Sequence, residues 1–130
     1  VCYNYCLGCE KECGMRMKID YYEKSTTGDC PVLEFLESLP AKDRKRVTKK
    51  IEFLEQLGLK LRRPHSDTLR DGIRELRIKT NHGQYRVLHF IHHRDTAVLL
   101  HGITKNTSKV PEAAIDKAIE YMHDYLSTHA

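Results

Sequence analysis

Apolar positions change their period twice along this chain, and each change marks a boundary between kinds of structure. Between residues 31 and 57 they recur at helical spacing: Val32, Phe35, Leu36 and Leu39, then Val47, Ile51, Leu54 and Leu57. Pro40 divides the run into two helices. The first has Pro31 in its opening turn with Asp29 or Cys30 as cap, and the second runs from about Ala41 to a stop at Gly58. Ahead of them, Lys18 to Lys24 reads as a strand followed by the turn-like "STTGD". After them, "RRPHSDTLRDG" reads as a connector. Three strand-like segments follow, Ile73–Lys79, Tyr85–His92 and Ala97–Lys105, joined by polar turns at Asn81-His82-Gly83 and His93-Arg94-Asp95. Beyond Pro111, the residues Ile115, Ala118, Ile119, Met122 and Leu126 form the apolar stripe of a last helix. The order β-α-α-β-β-β-α predicts a small α+β domain. Short turns between consecutive strands make its sheet mainly antiparallel, with helices packed on one face and the second face open and basic.

Alternation within the strands raises the chemical question. Arg77 and Arg86 sit inside apolar runs, where a sheet gains nothing from a guanidinium. In the first of the three strands Leu76 and Ile78 point one way, while Glu75, Arg77 and Lys79 point the other. Counted straight through, Val98 and Leu100 of the last strand share a face opposite Leu99, His101, Ile103 and Lys105. The expected outcome is one buried face and one face carrying Arg77, Arg86 and Lys105, with His101 or a neighbouring histidine nearby. Rigidly held guanidinium groups suit bidentate capture of phosphate and stabilisation of charge in a phosphorane-like transition state. The competing expectation is structural: Arg77 pairs with Glu75 or an acid across the strand, a common and weak interaction.

Charge distribution adds a second basic feature. The whole chain carries a formal charge of only +4. Residues 41–63, however, hold nine basic against three acidic residues, a net of +6, and residues 112–124 come to −3. On the second helix Lys42, Lys45, Arg46, Lys49 and Lys50 fall away from the apolar stripe. Such a basic face either suits a polyanion such as RNA or DNA, or is simply solvated.

Length and composition bound the rest. At 130 residues with 40% hydrophobic content, one domain is expected. No apolar run approaches the roughly 20 residues of a membrane helix, and the start lacks the pattern of a signal peptide, so a cytoplasmic protein without a membrane partner is expected. Four of the five cysteines, Cys2, Cys6, Cys9 and Cys13, crowd the N-terminus. Cys2, Cys6 and Cys9 have the spacing with which radical S-adenosylmethionine enzymes hold an iron–sulfur cluster, but the large barrel those enzymes need does not follow. Structural zinc sites more often bring two separated pairs together. Residues 1–16 are therefore read as a cysteine-rich extension outside the fold, and 17–130 as the domain. His92 and His93 point to opposite faces of any strand, no phosphate loop or nucleophile elbow occurs, and no metal or other cofactor is expected.

The second half of the chain resembles a known family. "LRDGIRELR" at Leu69 to Arg77, "YRVL" at Tyr85 to Leu88, "VLLHGITK" at Val98 to Lys105, and a proline-started helix containing Ala118 to Tyr125 are similar to the RelE/HigB-like toxins of bacterial type II toxin–antitoxin systems, especially their phage-derived subfamily. The similarity covers about residues 17–127. It implies a RelE-type fold and, in most relatives, ribosome-dependent cleavage of mRNA by attack of a ribose 2′-hydroxyl on the adjacent phosphate. By the same resemblance Arg86 matches a phosphate-binding arginine, Arg77 the arginine of the "E-L-R" motif, and Lys105 the first of a lysine pair. Glu75 would orient Arg77 or assist proton transfer, and His101 and His92 are candidates for a general acid. Lys42, Lys45, Arg46, Lys49 and Lys50 would contact ribosomal RNA. The implied partners are the ribosome with its mRNA and a helix-turn-helix antitoxin that covers the basic groove.

Two positions depart from the pattern. Asn106 stands where relatives often carry a second lysine, and Val110 where a threonine commonly caps the last helix. Two other outcomes stay open at this level: a toxin of the same fold that inhibits DNA gyrase without cutting, and an inactive prophage-derived relative.

Overall fold

The structure is a computed structural model and describes residues 16–61, 63–105 and 109–129. Cys2, Cys6, Cys9 and Cys13, and with them the question of what they bind, lie outside the described residues, as does Asn106. In chain order the elements are β1 (Lys18–Tyr21), α1 (Pro31–Glu37), α2 (Ala41–Leu57), β2 (Ser66–Thr68), β3 (Arg74–Thr80), β4 (Gly83–His92), β5 (Thr96–Lys105) and α3 (Glu112–Thr128). The five strands form one sheet in the order β1-β5-β4-β3-β2, with β1 parallel to β5 and every other pair antiparallel. No helix among the described residues is long and apolar enough to cross a membrane.

The α+β class and the mainly antiparallel sheet agree with the periodicity. β2 is an addition. It lies within the stretch read as a connector, and its three residues are too few to display an alternation. Helix punctuation follows the local chemistry: Pro31 opens α1 after Cys30, and Gly58 ends α2 at φ 55°, a left-handed conformation that costs glycine little.

The two early helices pack on one face, as the sequence led us to expect, and the last helix adds a partial cover on the other. α1 and α2 cover one face, burying Val32, Leu36, Val47, Ile51 and Leu54 against Leu76, Ile78, Val87 and Leu99. α3 covers part of the other, where Ile115, Ala118, Tyr121 and Tyr125 pack on Ile73, Leu88, Phe90, Val98 and Leu100. The second face carries large aliphatic side chains with no exposed surface, and leaving one of these in water forfeits about 2 kcal/mol. It therefore needs a lid. The buried stripe of α3 is also rotated from the aliphatic one: Tyr121 stacks on Tyr22 at 4.9 Å, Tyr125 donates to Asp20 at 2.7 Å, and Leu126 stays exposed. Tyrosine fills such a stripe because its ring is apolar and its hydroxyl finds a partner at the rim.

A bulge in β5 then decides which side chains stay open. Leu88 pairs with His101 and His89 with Leu99, so Leu100 is an extra residue with no partner on β4. It reverses the alternation. Counted without it, Lys105 would lie opposite Val98 and Leu100. With it, Val98, Leu100, His101, Ile103 and Lys105 all belong to the α3 face, while Leu99 and Gly102 turn towards α1. Gly102 is close-packed there: a Cβ on it would come within 2.3 Å of the Phe35 ring.

Candidate active site

α3 covers only one end of its face. At the other end, near the β3–β4 turn, the same face displays Glu75 and Arg77 from β3, Gln84 and Arg86 from β4, and Lys105 from β5. Register assembles them: Arg77 lies directly opposite Arg86, and Gln84 opposite Lys105. Two like charges in direct opposition repel, and Glu75 resolves this. Its Oε1 accepts from Arg86 Nε at 2.9 Å, and its Oε2 accepts from Arg77 Nη2 at 3.0 Å. Glu75 therefore orients both arginines, where sequence motifs linked it to Arg77 alone.

The two guanidiniums differ in freedom. Arg86 is 7% exposed and also donates to the Tyr85 carbonyl at 3.0 Å and to Gln84 Oε1 at 3.4 Å. Arg77 is 32% exposed and donates through Nη2 to Asp67 Oδ2 at 3.2 Å. The same Asp67 oxygen accepts from Arg63 Nε at 2.9 Å. Asp67 and Gln84 were not among the residues singled out from sequence. Asp67 faces Glu75 in the β2–β3 ladder, so only the unrecognised strand β2 brings it to the site.

Lys105 completes the cluster. Among the described residues it has no hydrogen-bond or ion-pair partner. Burial and the nearby Arg86 and Arg77 charges push its ammonium below the usual lysine range, with Glu75 opposing the shift. Five groups thus meet on this surface: a buried glutamate, two arginines fixed by it, a glutamine and an uncommitted lysine. Such a set can hold an oxyanion and neutralise charge that builds on it.

The histidine candidates lie elsewhere. His101 is under α3, with its Nε2 3.0 Å from the Ala114 carbonyl oxygen and its ring against Tyr121. A carbonyl only accepts, so Nε2 carries the proton. Burial lowers this histidine's affinity for a second one. His92 packs against Phe90 and Tyr125 at the far end of the sheet. Neither ring joins the arginine cluster.

The basic helix lies on the opposite side of the sheet. Lys42, Lys45, Arg46 and Lys49 of α2 line a groove of about 950 Å³ whose other wall is Lys79 and the β3–β4 turn. Lys50 is turned aside, donating to His65 Nδ1 at 2.9 Å, and Arg46 caps the Lys79 carbonyl at 3.2 Å. Beneath the groove, buried Asp43 accepts from the Tyr85 hydroxyl and contacts His82 Nδ1 at 3.0 Å. The tyrosine bond, followed by the His82 contact, holds its carboxyl below the usual range despite burial. This ties α2 to the β4 strand that carries Arg86.

The profile of the phage-derived Gp49-like proteins matches residues 34–123. The chain belongs to the phage-derived Gp49-like family. Gp49-like proteins are a RelE-like toxin family of toxin–antitoxin systems, and the matched span contains the basic helix and every residue of the Glu75 cluster. No curated protein matches the chain.

Proposed function

We propose that this Gp49-like chain is the toxin of a type II toxin–antitoxin system and cuts mRNA on the ribosome. The observation that carries this is Lys105, a cation without a described partner, standing beside two arginines that one buried glutamate holds in place. A structural salt bridge needs no third cation, whereas a phosphate between them does.

In this reading the scissile phosphate lies over Arg77 and Lys105. The ribose 2′-hydroxyl gives up its proton to water and its oxygen bonds to phosphorus, the bond from phosphorus to the 5′-oxygen breaks, and that oxygen takes a proton. The products are a 2′,3′-cyclic phosphate and a 5′-hydroxyl. Arg77 and Lys105 neutralise the extra charge on the non-bridging oxygens, and Arg86 and Glu75 hold Arg77 where it can do so. Lys105, whose proton is loosened by burial and then by the neighbouring arginine charges, protonates the leaving oxygen in this reading. His101 supports β5 beneath α3. Lys42, Lys45 and Lys49, which have no hydrogen-bond or ion-pair partner among the described residues, offer their charge to ribosomal RNA, with Arg46 and Lys50 partly committed to the protein itself. An antitoxin of the helix-turn-helix kind would cover this basic groove.

The test is induction of the chain in bacteria beside an Arg86→Ala variant, with primer extension on an abundant message. New codon-spaced 5′ ends for the wild type alone support the reading. Growth arrest with intact RNA and altered DNA supercoiling points instead to a gyrase-directed toxin, and no effect on growth or RNA to an inactive relative.

A further inference from the structure

The two basic features lie on opposite sides of one sheet, so a single RNA strand that touches both passes either round the β3–β4 turn or over an edge of the sheet. Of the two edge strands, β2 is the one paired with β3, which carries Arg77. Its three residues pair only with Arg74 to Leu76, and its lead-in is tied to each side: the Arg77 amide donates to the His65 carbonyl at 2.8 Å, while the His65 ring accepts from Lys50. At this edge a pocket of about 340 Å³ is lined by Arg63, Ser66, Asp67, Thr68 and Arg74.

Its lining is rich in hydrogen-bond donors of the kind that suit an anion. Arg63 is 75% exposed and uses Nε and Nη2 on one Asp67 oxygen, at 2.9 and 2.8 Å, leaving further donors of its five. Arg74 has one described side-chain hydrogen bond, from Nη1 to Thr68 Oγ1 at 3.2 Å. Ser66 is 2% exposed, and its hydroxyl has no hydrogen-bond partner among the described residues. A buried hydroxyl without a partner is uncommon, because leaving it unmet costs desolvation for nothing in return. Among the described residues Asp67 is the acid that lines the pocket, and Arg63 and Arg77 both meet it; Glu75, its neighbour across the ladder, also acts on Arg63.

The geometry points to a second phosphate subsite at the outer edge of β2, where Arg63 and Arg74 take a backbone phosphate of a single-stranded RNA leaving the Arg77–Lys105 surface for the basic helix. This rests on the RNA-cleavage reading and gives the substrate a path. It makes the β2 edge a determinant of how much RNA on one side of the cut is gripped. It assigns no part in bond breaking to either arginine.

The experiment is the salt dependence of binding of a single-stranded RNA oligonucleotide to the full chain, followed by fluorescence anisotropy, for wild type, Arg63→Gln, Arg74→Gln and Arg74→Lys. Removing one phosphate-neutralising cation lowers the slope of log K against log salt by about 0.7 for single strands. Both glutamine variants are expected to show that drop and a weaker low-salt affinity, while Arg74→Lys keeps the wild-type slope. Thermal melts of the same samples separate misfolding from a weakened grip on phosphate. A wild-type slope in both folded glutamine variants overturns the subsite, as does competition by free inorganic phosphate that is equal in wild type and Arg74→Gln. If the variants bind as expected but Lys105→Ala cuts mRNA as well as wild type, the subsite stands and the proposed chemistry falls.

Discussion

Arg86 donates through Nε to Glu75 at 2.9 Å, and both side chains are nearly sealed from solvent, at 7% and 6% exposure. Glu75 is thus the fixed point of the surface: its other oxygen holds Arg77. Removing one partner of a buried pair leaves the other charge uncompensated, at a cost of about 3–5 kcal/mol. Glu75→Ala is expected to lose that much in denaturant unfolding. Glu75→Gln keeps a carbonyl acceptor for Arg86 and should lose clearly less. Equal losses would mean that the negative charge, and not its geometry, is what the arginines need.

Lys105 behaves differently, because nothing described in the fold depends on it. Lys105→Ala should leave stability within about 0.5 kcal/mol of wild type, as for a surface change. It should lower cleavage by about 10²–10³-fold, the scale for losing one group that stabilises developing charge. Unfolding curves and cleavage rates on the same preparation check both halves.

His89 gives the fold a pH dependence with a definite sign. It is fully buried, and burial pushes its pKa down to about 4 from 6.5, against a bond from Nδ1 to the Val87 carbonyl. Between those values the unfolded chain takes up a proton that the folded chain refuses. Stability is therefore complete above about pH 6.5 and declines as pH falls towards 4, by roughly 3 kcal/mol in all. His89→Leu should flatten this part of the profile, measured by urea unfolding at a series of pH values. Asp43, whose pKa is depressed, adds a separate loss that begins only in the carboxylate range, below about pH 4.

Gly102 marks the contact of α1 with the sheet. A methyl group there would overlap the Phe35 ring, and overpacking of this kind costs about 1–3 kcal/mol. Gly102→Ala should show that loss in unfolding, and a Phe35→Leu change in the same chain should recover part of it.

Much of this was legible in the sequence, for identifiable reasons. Helices α1 and α2 and strands β3 to β5 are long enough for their periods to show, and Pro31, Pro40 and Gly58 punctuate them. The convergence of Glu75, Arg77 and Arg86 follows from alternation in two adjacent strands. What stayed hidden was anything that depends on a single irregularity. The bulge at Leu100 reverses the parity of β5, so a straight count groups Lys105 with Leu99 and sets it against Val98 and Leu100, whereas it shares their face with Arg77 and Arg86. β2 is three residues long, and without it Asp67 and the edge pocket have no address. The second cover on the sheet was hidden because the inward side of α3 is half tyrosine, and an aliphatic stripe points some way round from it. Polarity of type is a poor guide where a ring is buried and its hydroxyl bonded.

If this surface drives a 2′-hydroxyl onto its neighbouring phosphate, the chemistry of the new RNA ends must show it. The decisive experiment treats purified ribosomes carrying a defined message with the chain and identifies those ends. Wild type is expected to leave a 2′,3′-cyclic phosphate on the upstream fragment and a 5′-hydroxyl on the downstream one, with both products lost in a folded Lys105→Ala protein. A 3′-hydroxyl with a 5′-phosphate, or an intact message on fully occupied ribosomes, would contradict it.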